Sequence, residues 1–190
     1  MGQWNDAGET VVAGDGQAYV APVGTARPTA TDAALNAAFF GLGYHTEDGV
    51  GLNFTPEYTR HGAWQARKPI RIDRVGEALI VTFGLLQWNE ISVPLAFGGG
   101  SVVANGDEFK FVPPDSGDAL DEKTLVVDVE DGNDKMRIVV PRGAVTESLS
   151  VTFSDSAMAV LPISFEVLEF DSGSDFELQF SDAVSFAAGS

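Results

Sequence analysis

The chain has 190 residues, 44% of them hydrophobic and 21% charged, which suits one buried core and excludes wholesale disorder. With no cysteine and two histidines, His45 and His61, it has no material for disulfides, thiolate metal sites or a cysteine nucleophile, and little for imidazole chemistry. Twenty-eight acids against eleven Lys and Arg give a net charge of −17, which argues against an ordinary nucleic-acid-binding surface.

Met1 to Val12 lacks the basic start and apolar stretch of a signal peptide. No apolar run approaches the roughly 20 residues needed to cross a bilayer, so a soluble protein made in a cytoplasm is expected. Residues 1–30 read as an N-terminal arm rich in Gly, Ala, Thr and Pro, with one strand-like piece from Gln17 to Val23. Thr31 ahead of Asp32, Ala33, Ala34 and Leu35 predicts an N-cap and a short helix that stops near Gly41 or Gly43. Thr46 to Lys68 is polar and without clear periodicity, with Trp64 near its end. It reads as a long loop or an irregular hairpin.

Strand patterns follow. Ile70 and Ile72 alternate with Arg71 and Asp73, and Leu79 to Leu86 is apolar on both faces, as in a strand covered on each side. Asn89 is placed to cap a short helix, with Glu90 suited to its positive end, Pro94 limiting it and Gly98-Gly99-Gly100 stopping it. Glu108 to Val112 predicts a short strand ended by Pro113-Pro114. Leu125, Val127 and Val129, then Met136, Ile138 and Val140, alternate on either side of Asp131-Gly132-Asn133, a hairpin signature. Three more alternating stretches are Leu149–Phe153, Ile163–Val167 and Phe176–Phe180. The expected fold is mainly β: a β-sandwich or partial barrel over residues 31–180, with one or two short flanking helices and a tail from 181 to 190.

The charge is unevenly placed. Residues 1–76 carry a net of −2 and residues 77–190 a net of −15, while Arg60, Arg67, Lys68, Arg71 and Arg74 fall within fifteen residues. Chemistry-bearing motifs are missing. Gly98-Gly99-Gly100-Ser101 has no following Lys, so it is not a phosphate loop. No Gly-x-Ser-x-Gly elbow occurs. A calcium loop starting at Asp128 would need Gly at position six and Glu at twelve, but Gly132 falls at five and Val139 at twelve. Paired carboxylates for glycoside hydrolysis are a spatial matter, and nothing in the sequence selects a pair. No enzyme, cofactor or metal site is expected.

Several segments, in order, resemble the major tail tube proteins of long-tailed, siphovirus-type bacteriophages, especially those infecting actinobacteria. They are Gln17–Thr25 followed by Pro28, Leu42–Val50, Trp64-Gln65, Ile70-Arg71, Thr82-Phe83, Gln87–Glu90, Arg137–Gly143 and Leu161–Leu168. The Trp expected in the first short helix of that family appears here as Phe39-Phe40. The resemblance implies a non-enzymatic virion protein that forms hexameric rings stacked into a hollow tube through which DNA passes. It also implies a tape measure protein, a tail terminator and distal tail proteins as partners, with long loops and terminal arms tying ring to ring. The loop 46–68 and the arm from Met1 to Thr25 are then expected at subunit contacts.

The candidate interface residues are Arg60, Trp64, Arg67, Lys68, Arg71 and Arg74, facing the acidic Asp115, Asp118, Asp121 and Glu122 of an adjacent subunit. Asp128, Glu130, Glu166 and Glu177, on the polar sides of alternating strands, are the candidates for a negative lumen. The competing expectation is a monomeric β-sandwich binding module, for carbohydrate or as a virion decoration, with exposed aromatics on one sheet face.

Overall fold

The computed structural model describes residues 13–181 apart from Asp107, Asn133 and Ser172, so the extreme arm (1–12) and the tail beyond Ser181 lie outside the described residues. In chain order the elements are β1 (Asp15–Pro22), β2 (Phe40–Gly41), β3 (His45–Ala63), β4 (Ala66–Leu85), α1 (Ser92–Ala96), β5 (Ser101–Asn105), β6 (Glu108–Val112), β7 (Lys123–Asp131), β8 (Asp134–Val145), β9 (Leu161–Val167) and β10 (Glu177–Phe180). Eight strands form one antiparallel sheet in the order β2-β1-β7-β8-β9-β4-β3, with β10 pairing along β8, and β5 and β6 form a separate ribbon. β8 serves two neighbours on one edge: Met136–Val139 pairs with β10, and Gly143–Val145 pairs with β9.

The sheet wraps its own core. Inward residues of β1 (Ala18, Val20), β4 (Val81, Phe83, Leu85), β7 (Leu125, Val127), β8 (Ile138, Val140) and β9 (Leu161, Ile163, Phe165) meet in one buried cluster, joined by Leu95 and Ala96 of α1. This is the partial-barrel form of the expected mainly β fold. Each fully buried Val, Leu, Ile or Phe here contributes about 1.5–3 kcal/mol. The β7–β8 hairpin turns at Gly132, whose φ of 61° is the left-handed conformation glycine adopts without a Cβ penalty. Asn89 accepts from the backbone N–H groups of Ile91 and Ser92 at 2.9 and 2.8 Å and its carbonyl accepts from Val93, so it caps α1 as its sequence position suggests. Pro94 lacks the N–H between those of Val93 and Leu95, which donate to the carbonyls of Asn89 and Ile91, and the helix ends two residues later.

Three expectations are corrected. Residues 31–43 form no helix. Instead, residues 27–39 cross the outer face of the sheet as an irregular strap that leads into β2. A helix capped by Thr31 would engage the carbonyl of Ala33 internally; here it and the Ala30 carbonyl accept from one guanidinium nitrogen of Arg137 on β8, at 2.8 and 2.7 Å. Residues 46–68 are not a loop: they supply most of β3, the Trp64-Gln65 tip and the start of β4, so the irregular-hairpin alternative is the observed one. Its registers shift near Glu57/Tyr58 and His61/Ala63, which blurs the period-two pattern. Leu149 to Phe153 alternates without forming a strand. Leu149 and Val151 pack on the core through their side chains, while the neighbouring β9 already pairs with β8 on one edge and β4 on the other.

Candidate assembly interface

β3 and β4 are 19 and 20 residues long. Only their inner ends belong to the body. Pairing puts Leu52 opposite Val81, Phe54 opposite Leu79, Tyr58 opposite Arg74 and Arg60 opposite Ile72. The face that is buried at Val81 therefore continues outward through Leu52, Phe54, Tyr58 and Ile72, all of which are exposed. At the tip Trp64 is completely exposed. Isolated β ribbons are marginal in water, so an uncovered ribbon of this length with an apolar face is built to be covered by something else.

The basic cluster lies on this hairpin, as its sequence positions require. Arg71 and His61 both meet Asp73, at 2.6 and 3.0 Å. Arg74 pairs with Glu77 and lies 5.2 Å over the Phe54 ring. Arg60, Arg67 and Lys68 have no ion-pair partner among the described residues. They are the unpaired cations of this cluster.

The acidic counterparts divide in two. Asp121 holds Lys123 at 2.5 Å, and Glu122 holds Arg142 through two bonds of 2.7 and 2.8 Å. That bidentate bond holds the Glu122 carboxyl below its usual range and pushes the Arg142 guanidinium up. Asp115 and Asp118 instead build a turn, in which the Asp118 carboxylate accepts from the Asp115 N–H at 2.9 Å. No ion pair of either is present among the described residues.

The four lumen candidates share the outer face of the sheet, opposite the core cluster. Asp128 receives both Nε and Nη2 of Arg137, at 2.5 and 2.9 Å. Glu130 accepts from Lys135 at 2.7 Å, and the hydrogen bond raises the Lys135 pKa. Glu177 pairs with Arg27 of the strap at 3.3 Å. Glu166 accepts from the Thr146 hydroxyl at 2.7 Å, near Glu147, which accepts from Ser164. Beside Asp128 the Tyr19 phenol is pushed up, first by burial and then by that carboxylate.

Sequence reasoning missed two features. Arg137, 5% exposed and carrying four hydrogen bonds, pins the strap to the sheet. Its partners are 9 to 107 residues away, so no local signal marks it. The second is an aromatic cleft of about 470 Å³ between the start of α1 and the β5–β6 ribbon, lined by Trp88, Asn89, Glu90, Val93, Val102, Phe109 and Phe111. The alternation of Phe109 and Phe111 with Lys110 was the available hint. Trp88 donates its indole N–H to the Ala159 carbonyl at 3.1 Å and leans on Phe153, while Phe111 stacks on Phe97.

Among the described residues no group of three or more acids and histidines is placed to hold a metal ion, and no helix is long and apolar enough to cross a membrane. Curated proteins give no match to the chain. The family described as phage tail tube protein matches residues 3–188. The match spans nearly the whole sequence and falls on an antiparallel β chain whose longest hairpin exposes large apolar side chains among the described residues. The chain belongs to the phage tail tube protein family.

Proposed function

We propose that this structural component of the phage tail polymerises as stacked hexameric rings into the hollow tube of a siphovirus-type, actinobacteriophage-like tail, assembled in the host cytoplasm, through which DNA reaches the host. Tape measure, terminator and distal tail proteins would be its neighbours. The role is structural, with no catalytic step. The observation that carries the reading is the β3–β4 hairpin, which extends the core face beyond the body and leaves Tyr58, Ile72 and Trp64 exposed among the described residues. Neighbouring subunits would cover that face and satisfy its strand edges.

In this assembly Arg60, Arg67 and Lys68, together with Trp64, make the contact, helped by Arg71 and Arg74. Asp115 and Asp118 are the acids best able to answer them, since Asp121 and Glu122 already hold cations. For the lumen we assign Asp128, Glu130, Glu166 and Glu177. The first two and Glu177 are locally neutralised by Arg137, Lys135 and Arg27, so the field repelling DNA phosphates would come chiefly from Glu166 and Glu147. Electron microscopy of the purified protein, in negative stain and then at higher resolution, tests the reading. Rings and hollow filaments with six subunits per turn are expected; a uniform monomer at high concentration would sink it.

A further inference from the structure

We propose that the indole of Trp64, at the tip of the β3–β4 hairpin, docks in the aromatic cleft beside α1 of a neighbouring copy. The inference rests on the self-assembling role proposed above and names the contact that drives it. The knob is fully exposed, at the narrow turn where Ala63 pairs with Ala66. The socket has the size and lining an indole needs. It is open, about 470 Å³, and walled by Trp88, Phe109 and Phe111, with Glu90 able to accept a hydrogen bond. Phe109 is 79% exposed and Trp88 41%, so the cleft wall is partly uncovered among the described residues.

Charge favours the same pairing. Residues 52–79 carry five cations against three carboxylates, a net of +2, so the rest of the chain carries −19. Arg67 and Lys68 follow the tip directly and have no ion-pair partner among the described residues. Glu90 lines the cleft and Glu108 stands next to Phe109, two carboxylates against the one cation Lys110 between Phe109 and Phe111. Tip and cleft therefore attract at a distance as well as in contact.

A chain cannot fill its own cleft. Trp88 lies just beyond the inner end of β4, and the 20 residues of that strand put the tip roughly 60 Å away along its length. In the ring proposed above the contact is heterologous: each copy gives a tip to one neighbour and receives a tip from another. Such contacts end only in a closed ring or an open filament.

The test replaces Trp64 with the photo-crosslinking residue benzoylphenylalanine in the full chain, irradiates the assembling protein and maps the linked peptides. Links between two copies, from position 64 to residues 88–111, are expected. In parallel, Trp64→Ala should slow tube growth at least tenfold while its circular dichroism and thermal midpoint stay at wild-type values, because the side chain is fully exposed among the described residues. Links that map elsewhere, no links between copies, or normal tube growth by Trp64→Ala would each overturn the docking. Tubes with links elsewhere would remove the docking and leave the tube reading standing. Links to the cleft without any ring or tube would do the reverse.

Discussion

Replacing Arg137 with Met tests the outer face of the sheet most directly. The guanidinium is 5% exposed; it holds Asp128 through two bonds and the carbonyls of Ala30 and Ala33 through two more. Met keeps most of the side-chain volume and removes all five donors. Breaking one partner of a buried ion pair costs about 3–5 kcal/mol, because the other charge is left uncompensated. The Asp128 side chain is a quarter exposed, so water relieves part of that cost and the lower end applies. The two carbonyls add little if the strap swings out to water. The expected loss is therefore about 3–4 kcal/mol, which for a chain of this size is a fall of about 10 °C in thermal midpoint.

Urea unfolding of the monomeric subunit measures the loss, and hydrogen exchange at residues 27–39 reports the strap. Exchange there should rise more than in β7 and β8. The double variant Arg137→Met with Asp128→Asn should lose less than the sum of the two single losses, by more than about 1 kcal/mol, since it leaves no orphaned charge. A loss under about 1 kcal/mol, or an unchanged strap, would refute the pinning argument.

Two further outcomes follow from the packing. Burial lowers the His45 pKa despite an opposing hydrogen bond to the Gly43 backbone, and its Nε2 is buried without a partner among the described residues, its ring against Phe83. The folded state thus binds fewer protons than the unfolded one, so stability is full above pH ~6.5 and falls as pH drops below that value; His45→Gln should flatten this part of a urea midpoint series. Gly143→Ala should cost about 1–3 kcal/mol by calorimetry, because its Cβ would strike the Phe165 ring and stand 2.5 Å from the Glu166 carbonyl oxygen of β9, a backbone atom that cannot step aside.

What the amino-acid sequence determined by itself is local. The β7–β8 hairpin is legible because its period-two pattern and Gly132 act over a few residues, and in β7 toward the turn burial alternates through Val127, Asp128, Val129 and Glu130. The cap of α1 is legible for the same reason: Asn89 and the N–H groups it satisfies are two and three residues apart. The excess of negative charge, the strand-rich patterning and the tail tube resemblance also needed no coordinates. Tertiary structure decided the rest. Thr31 has a capping side chain, yet the carbonyls of Ala30 and Ala33 went to an arginine more than 100 residues away, because a buried guanidinium must be satisfied and the helix was too short to compete. Leu149 and Val151 alternate like a strand, but the edges of β9 beside them were already taken. The β3–β4 hairpin hid from sequence reading because period-two alternation records one buried face and one wet face, and its outer half has no buried face among the described residues.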